Sequence, residues 1–284
     1  MSSPQPPDAE AEIGVISERA EADPDAERLA GYDIACVRAA NPGPLTLTGT
    51  NTWLLGRSPA WLVDPGPLLD SHLQRVGAEI EARGGLGGIA LTHDHGDHAE
   101  AVAALRASYP APLAAARGAA DVQLHDGTRF GPFDALATPG HAEDHFSLIA
   151  GGACFTGDAV LGSGSVFISP HEGAMAGYLR ALVRLRLRED FDVICPGHGP
   201  AVWEPQGKID EYLAHRIDRE NRLIAALGEG RRSVAELLDA VWYDVPEQLR
   251  GAAAVTLAAH LDKLEEEQIL PRGVERPRFE RVRW

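Results

Sequence analysis

The chain has 284 residues, which is enough to bury one large core together with a smaller appended unit. Its formal net charge is −16: residues 1–207 carry 27 acidic and 13 basic side chains, whereas residues 208–284 carry 15 and 13. This balance argues against attraction of the whole surface to nucleic acid, and bound divalent cations would offset part of it. Three scattered cysteines are too few for a disulfide framework or a thiolate zinc site, which favours a reducing compartment.

The first 28 residues are acidic and rich in Pro, Ala and Glu, a composition typical of a disordered leader. They contain no apolar stretch suited to a signal peptide, and their acidity argues against a mitochondrial transit sequence. Nor does any apolar run approach the roughly 20 residues that span a bilayer. We therefore expect a cytoplasmic protein that has no membrane partner.

The next elements alternate between short β-prone runs and helical stretches. An antiparallel meander is predicted by three β-prone runs with Gly- and Pro-containing turns, at residues 34–37, 52–55 and Ala60–Val63. Residues 68–82 have apolar side chains at helical spacing, which predicts a helix. The alanine-rich residues 99–107 predict a second helix that begins just after His98, and further strands and turns alternate through residues 132–168.

Residues 93–98 read His-Asp-His-Gly-Asp-His and directly follow the apolar run 89–91. An extended chain sends His93 and His95 to the same side, while Asp97 and His98 fall at the start of the next element. Such a set can hold two adjacent cations. The alternative is a solvated polar loop. This alternative is disfavoured because three histidines and two aspartates occur within six residues.

Three more candidate ligands follow later in the chain. His141, Asp158 and His198 each come after a short apolar stretch and a glycine. This pattern is typical of a strand that ends in a tight turn and directs a side chain towards a shared point.

Residues 173–189 predict a helix with an apolar stripe and several arginines. The arginines at positions 180, 184, 186 and 188 form either a phosphate-binding face or an ordinary solvated helix face, and the second interpretation is favoured.

The pattern becomes predominantly helical after Pro205. Helices are predicted at residues 209–227, Val234–Val241 and 248–267, and Ser233 with Glu236 resembles a capping box. Residues 268–284 contain turn residues between short β-prone pieces, so the whole segment resembles a winged-helix-type module. Because the segment is nearly neutral, we expect it to pack against the main domain or against a second subunit rather than to bind nucleic acid.

Taken together, these motifs resemble the ordered motifs of the metallo-β-lactamase superfamily, and most closely its lactamase-beta-2-like branch. Supporting residues lie at 49–56, 63–66, 157–162 and 215–220, and the resemblance covers about residues 31–270. It implies an α/β fold, an αββα sandwich followed by a small helical winged-helix-like domain. The implied division is a leader at 1–28, a catalytic domain at 29–204 and the C-terminal domain at 205–284.

The resemblance also implies a ligand set for two metal ions. One ion would be held by His93, His95 and His141, and the other by Asp97, His98 and His198, with Asp158 bridging. Asp97 would in addition act in catalysis by orienting the nucleophile. Many relatives have Gly directly after the last histidine of the run, where this chain has Ala99 and Glu100, a difference that bears on substrate preference.

Two divalent ions about 3.5–4 Å apart share a water and lower its pKa to roughly 7, so the expected nucleophile is a metal-bound hydroxide. Mixed histidine and carboxylate ligands favour Zn²⁺, and manganese or iron would also accept them. We expect hydrolysis of a small ester, thioester or lactone. A protein that keeps the fold without catalysis is disfavoured by the complete ligand set, and true β-lactamase activity by the lack of an export signal.

The alternative function is an endoribonuclease acting on single-stranded RNA, as the branch includes such enzymes. This role requires a local basic track, for which residues 180–188 and 272–283 are the candidates.

Several other residues have two interpretations. Asp64 either lies beneath the cluster and fixes a ligand tautomer or stabilises a turn, and Asp144 with His145 either shuttle a proton or pack. Cys195 either approaches the metals or packs as a small apolar residue, which is favoured. His171 is a weak candidate for the substrate opening. Residues 46–48 and 162–165, together with Trp53, either line the entrance or form ordinary structure, with the second favoured.

Overall fold

The computed structural model describes residues 25–278. The leader predicted at residues 1–28 lies outside the described residues except for its last four, where the first helix begins. Within residues 25–278, no helix combines the length and the apolar character needed to cross a bilayer.

The described chain forms eleven strands and eight α-helices. The strands are β1 (Ile34–Arg38), β2 (Asn51–Leu55), β3 (Ala60–Val63), β4 (Leu86–Ala90), β5 (Leu113–Ala115), β6 (Val122–Gln123), β7 (Arg129–Phe130), β8 (Phe133–Ala137), β9 (Phe146–Ala150), β10 (Gly152–Gly157) and β11 (Phe191–Pro196). The helices are α1 (Ala26–Ala30), α2 (Asp70–Ala82), α3 (Gly96–Ala99), α4 (Val102–Ser108), α5 (Ala174–Arg186), α6 (Pro205–Gly228), α7 (Val234–Val241) and α8 (Arg250–Glu266), and a 3₁₀ turn spans Glu247–Leu249.

The strands form two sheets. The first has the order β1-β2-β3-β4-β5-β6; its first three strands are antiparallel, which confirms the predicted meander, and β3 to β6 are parallel. The second has the order β11-β10-β9-β8-β7, with only β10 and β11 parallel.

Both sheets are buried on both faces, and the side-chain alternation of β2 shows why. Trp53 and Leu55 point into a core between the sheets, which they share with Phe155 of β10. Leu54 points the other way, into a core formed with Val76 of α2. An apolar strand without polar alternation is what a sheet covered on both sides requires.

The second sheet is covered in the same way. Cys154 and Ile194 face a third core that contains Tyr178 and Leu182 of α5 and Ile209 of α6. The layers therefore run helix, sheet, sheet, helix, and the predicted αββα sandwich is confirmed.

The C-terminal helices pack around a core of their own that includes Leu223, Leu237 and Leu257. The capping box predicted for α7 is present, since Ser233 accepts a hydrogen bond from the Glu236 amide and the Glu236 carboxylate accepts one from the Ser233 amide. The predicted β ribbon is wrong for residues 268–278, which form turns and irregular chain and include two prolines that cannot donate to a ladder. Residues 279–284 lie outside the described residues.

The helix predicted at 99–107 is also different, because it forms as two short helices. The amide of Ala101 donates to the carbonyl of Gly66 at 3.1 Å, and the amide of Gly66 donates to the carbonyl of His98 at 2.9 Å. These long-range bonds take the place of helical ones and separate α3 from α4. As a result Asp97 and His98 already lie within a helix, one that begins at Gly96.

Candidate metal centre

The seven predicted ligands converge at one edge of the sandwich. His93 and His95 follow β4, Asp97 and His98 lie in α3, and the others follow strands of the second sheet: His141 after β8, Asp158 after β10 and His198 after β11. Within the described chain, nitrogen and oxygen atoms of these residues form three groups of three whose members lie within 4.8 Å of one another.

The first group contains three histidines. His95 Nδ1 lies 2.9 Å from His93 Nε2 and 3.0 Å from His141 Nε2. All three side chains can therefore direct a nitrogen to one point, as a tetrahedral metal site requires.

The second group contains Asp97, His98 and His198. Asp97 Oδ2 lies 3.6 Å from His98 Nε2 and 3.4 Å from His198 Nε2. At these separations the carboxylate oxygen and the two imidazole nitrogens are candidate ligands of one metal ion.

Asp158 belongs to the third group, together with His93 and His98, and lies between the first two groups. Its Oδ1 is 3.6 Å from His98 Nε2, and its Oδ2 is 3.5 Å from His141 Nε2 and 3.4 Å from His198 Nε2. His98 Nε2 and Asp158 Oδ1 are buried without a hydrogen-bond partner in the described structure. Buried polar atoms without partners are costly, and a pair of cations would satisfy both. The residues present therefore fit a binuclear centre.

Hydrogen bonds fix the ring orientation of four of these histidines. The Nδ1–H groups of His98 and His141 donate to Asp64 Oδ2 at 2.9 Å and to the Phe167 carbonyl at 3.2 Å, since these oxygens can only accept. His93 Nδ1 meets Thr92 Oγ1 at 3.0 Å, and His198 Nδ1 meets the Gly49 carbonyl at 3.4 Å. Each bond occupies Nδ1 and directs Nε2, the nitrogen that a cation would bind, at the cluster.

Asp64 has the first of its two proposed roles. It is 1% exposed and accepts from Thr92 N at 2.8 Å and Thr92 Oγ1 at 2.7 Å, as well as from His98. The carboxylate thus connects the strand end before residues 93–98 to the candidate ligand His98 on α3.

His145 and Asp144 are placed differently from a proton shuttle. The amide of Asp158 donates to His145 Nε2 at 3.1 Å, so His145 Nδ1–H donates to Thr138 Oγ1 at 2.9 Å and both ring nitrogens are engaged. Asp144 accepts from the Asp94 amide at 3.2 Å. Both residues hold the backbone of the ligand turns.

The charges of the cluster are strongly coupled. Burial lowers the pKa of His93 well below its ordinary value and that of His141 to about 4. Burial also lowers the pKa of His98, but the carboxylates of Asp97 and Asp158 outweigh it and raise this pKa to about 10. Burial raises the pKa of Asp158, but the surrounding imidazoles hold it well below its usual range. Asp158 therefore remains ionised and His93 and His141 remain neutral, as cation binding requires, whereas His98 would release a proton when a cation binds.

Sequence reasoning missed the residues that carry the His198 turn. Thr50 Oγ1 donates to Asp97 Oδ2 at 2.8 Å, and Asn41 Nδ2 donates to Thr50 Oγ1 at 2.9 Å. Asn51 Nδ2 donates to the carbonyls of Pro196 and Gly199 at 3.0 and 2.8 Å. For Thr50 and Asn51 the only signal was the motif at 49–56, which had supported the family resemblance without a role for its polar members; Asn41 had no signal.

A cavity of about 520 Å³ opens onto the cluster. Its floor contains five of the seven candidate ligands: His95, Asp97, His141, Asp158 and His198. One side is formed by loops at residues 44–47 and 163–167, and the C-terminal helices form the other. The lining from this C-terminal side is Trp242, Val245, Pro246, Leu249, Ala252 and Ala253, with the polar residues His215, Arg216, Arg219, Asp244 and Thr256.

The residues considered for the entrance divide into two sets. Thr46, Leu47 and residues 163–165 line the cavity. Trp53 does not: it lies in the core and donates from Nε1 to the Pro196 carbonyl at 3.0 Å. His171 is likewise not part of the lining. Cys195 is buried in the core between the sheets, and burial raises its thiol pKa well above the ordinary value, so it packs as a small apolar residue.

Three of the four candidate arginines in α5 and just after it form ion pairs at the surface, and the fourth, Arg180, is exposed. Arg184 pairs with Asp126 at 2.8 Å and Arg186 with Asp210 at 2.7 Å. Arg188 pairs with Asp190. The favoured interpretation of this face is therefore correct.

Comparison with known proteins agrees with the fold. The family model of the beta-lactamase associated winged helix domain matches residues 233–273. The chain is 33% identical over 273 residues to a beta-lactamase-like protein 2 homolog of Caenorhabditis elegans, covering 86% of each chain. It is 32% identical over 254 residues to an atrochrysone carboxyl ACP thioesterase of Aspergillus chevalieri, covering 81% of this chain and 79% of that one.

Solved structures show the same fold. A beta-lactamase domain protein from Burkholderia ambifaria superposes with a TM-score of 0.70 at 19% identity, covering 83% of this chain and 86% of the other. A metallo-beta-lactamase family protein from Thermus thermophilus has a TM-score of 0.63 at 23% identity, covering 83% and 94%.

The αββα sandwich, the cluster of histidines and aspartates at its edge, and relatives named as a beta-lactamase-like protein and a thioesterase together define a metal-dependent hydrolase of the metallo-β-lactamase fold. The chain belongs to the metallo-β-lactamase superfamily. Within it, the chain belongs with the beta-lactamase-like proteins that carry a C-terminal winged-helix domain.

Proposed function

We propose that the protein binds two divalent ions, Zn²⁺ in the first instance, and hydrolyses a small ester, thioester or lactone, with acyl thioesters as the first candidates. The observation that carries this proposal is the cavity of about 520 Å³, which has candidate ligands on its floor and a largely apolar wall. A cavity of this size and character suits a small acyl substrate.

The first ion would be held by His93, His95 and His141, and the second by Asp97, His98 and His198, with Asp158 between them. Such a pair supplies Lewis acidity: it lowers the pKa of bound water to about 7 and polarises the scissile carbonyl.

Asp97 is the residue that we assign to catalysis. It lies on the cavity floor, and its side chain is 27% exposed, compared with 9% for Asp158. Since Thr50 fixes Oδ2 by a hydrogen bond of 2.8 Å, the carboxylate has a defined orientation towards the cavity. Asp97 would accept a hydrogen bond from the attacking water and hold it in line with the carbonyl.

The wall from the C-terminal helices would bind the acyl part of the substrate. Val245, Leu249 and Ala252 present apolar side chains opposite the loop at 163–167, so an acyl chain would exclude water as it enters. The thioesterase name of one relative supports the choice of a thioester. The division into a catalytic domain at 29–204 and a C-terminal domain at 205–284 is part of this proposal.

Cleavage of single-stranded RNA is the weaker candidate. The arginines at 184, 186 and 188 are neutralised by aspartates, and Arg276 pairs with Asp262 and Glu265. Four of the candidate arginines are therefore paired with carboxylates, which reduces the positive charge available to a phosphate backbone.

Purified protein should be assayed with a panel of acyl thioesters, p-nitrophenyl esters and lactones and with labelled single-stranded RNA, before and after treatment with a chelator. We expect acyl hydrolysis that disappears with chelator, returns with zinc and is absent in His95→Ala. His125→Ala is the matched control, because His125 is exposed and belongs to none of the candidate ligand groups. RNA cleavage that is lost with chelator and in His95→Ala, without acyl hydrolysis, would overturn the proposal.

A further inference from the structure

The connecting segment, residues 158–168, begins at the candidate bridging ligand Asp158 and includes the loop at 163–167 that lines the cavity. This connecting segment has little regular structure, yet it lies beside two candidate ligands. Its conformation therefore depends on what holds it from outside.

Side chains of the C-terminal helices hold the segment at three points. The amide of Leu161 donates to the Tyr212 hydroxyl at 3.0 Å. Arg216 Nη2 donates to Ser165 Oγ at 3.1 Å and also to the Val166 carbonyl. Tyr212 and Arg216 belong to α6, so this helix forms hydrogen bonds with the segment at residue 161 and at residues 165–166.

The third point comes from α8. The amide of Ile168 donates to Thr256 Oγ1 at 3.2 Å, and Thr256 in turn donates to the Ala252 carbonyl at 3.1 Å. Residues 166 and 168 are thus both fixed, and Phe167 lies between them.

Phe167 contacts the ligand His141 in two ways. Its carbonyl accepts the Nδ1–H of His141 at 3.2 Å, and its ring meets the imidazole edge-on with centroids 4.7 Å apart. The first contact keeps the proton on Nδ1 and leaves Nε2 free to bind a cation, and the second sets the tilt of the ring.

The burial of Arg216 supports a structural task of this kind. The residue is 2% exposed, and it forms no ion pair within residues 25–278. Its guanidinium lies 5.4 Å from the Tyr178 ring, and its Nε has no hydrogen-bond partner among the described residues. Burying a cation without a carboxylate partner costs free energy. The hydrogen bonds from Arg216 to the connecting segment offset part of that cost.

We propose that Arg216 is a positioning residue for the ligand His141, acting through the backbone of residues 165–167, so that the C-terminal helices are part of the metal centre as well as a wall of the cavity. The inference rests on the proposed binding of metal ions at this site. It does not depend on which substrate is hydrolysed.

The test compares Arg216→Met, which keeps the aliphatic volume but removes the donors, with Arg216→Lys, which restores a donor. Arg222→Met is the matched control, because Arg222 lies on the exposed side of α6, paired with Asp218 and bonded to Tyr243. Zinc affinity is measured by competition with a chromophoric chelator. We expect a loss of about 10- to 100-fold for Arg216→Met, partial recovery for Arg216→Lys and no change for Arg222→Met.

A second readout needs no metal. Long-range ¹H–¹⁵N spectra of the metal-free protein report which nitrogen of His141 carries the proton. We expect the Nδ1–H form alone in the wild type and a mixture of tautomers in Arg216→Met. A purely structural role would lower thermal stability without changing the tautomer.

A folded Arg216→Met variant with wild-type zinc affinity and a single Nδ1–H tautomer would overturn the inference. If this variant does not fold, Thr256→Val removes the anchor of Ile168 instead, and the same two results decide. Wild-type protein that binds zinc but hydrolyses no acyl substrate would contradict the proposed function and leave the role of Arg216 standing. Wild-type protein that binds no zinc would contradict the metal centre itself, and the inference with it.

Discussion

Replacing Asp64 by Asn should weaken zinc binding by about 10- to 100-fold although Asp64 is not itself a candidate ligand. The carboxylate accepts three hydrogen bonds, from Thr92 N at 2.8 Å, Thr92 Oγ1 at 2.7 Å and His98 Nδ1 at 2.9 Å. An asparagine has one accepting oxygen. If that oxygen stays with the Thr92 amide, its NH₂ group faces His98 Nδ1 and favours the imidazole tautomer that is protonated at Nε2.

That tautomer directs N–H at the site where a cation would bind. Metal binding must then move the proton back to Nδ1 and break a buried hydrogen bond, at a cost of about 1–3 kcal/mol. Since about 1.4 kcal/mol is a factor of ten in affinity, the expected loss follows. The backbone should not change, because Asp64 has a φ of 52° and Asn tolerates this left-handed conformation as well as Asp does.

The assay is titration of metal-free protein with zinc against a chromophoric chelator at neutral pH. Asp33→Asn is the matched control, since Asp33 also has a left-handed backbone, with a φ of 56°, but pairs with Arg57 and Arg83 away from the cluster. An Asp64→Asn protein that binds zinc as tightly as the wild type would refute the argument from the tautomer of His98.

The other predictions concern the bridging ligand, acid stability and the substrate wall. Asp158→Ala should lose zinc, measured as bound metal per chain, together with turnover, and full activity in this variant would exclude a bridging role. Burial lowers the pKa of His72 to about 4, so the folded state disfavours the charged form of this side chain. The contribution of His72 to the free energy of unfolding should therefore be fully present above about pH 6.5 and fall by up to about 3 kcal/mol towards pH 4. Denaturant unfolding at several pH values checks this, and His72→Gln should flatten the dependence; an equal slope in both proteins would contradict it. Leu249→Ser should raise KM for long-chain acyl thioesters several-fold with little change in kcat, because Leu249 lines the cavity but is not a candidate ligand. The control Leu187→Ser, on an exposed part of the surface, should change neither constant. A selective fall in kcat for Leu249→Ser would contradict a binding role.

The convergence of the candidate ligands was predictable because the information that locates them is local. Residues 93–98 follow a strand directly, and His141, Asp158 and His198 each follow a strand and a glycine, so short-range patterns located them. The early strands were predictable for the same reason, since β3 matches its predicted bounds and β1 and β2 differ by one residue at one end.

What the sequence could not predict depends on contacts between distant residues. The helix expected at 99–107 divides because Gly66 takes up the backbone bonds on either side of the break. The sequence left open whether His145 transfers a proton or packs; the Asp158 amide and the Thr138 hydroxyl occupy both its nitrogens. The cavity wall comes from C-terminal helices far along the chain from the ligand run. No periodicity or spacing encodes such pairings.

The candidate ligands are divided between the two sheets, four following the first and three following the second. Bound metal ions would therefore link the two sheets to each other at this edge of the sandwich. Loss of the ions should loosen that seam before either sheet melts, so amide hydrogens near the Thr92–Phe146 backbone bond that joins the halves would exchange first.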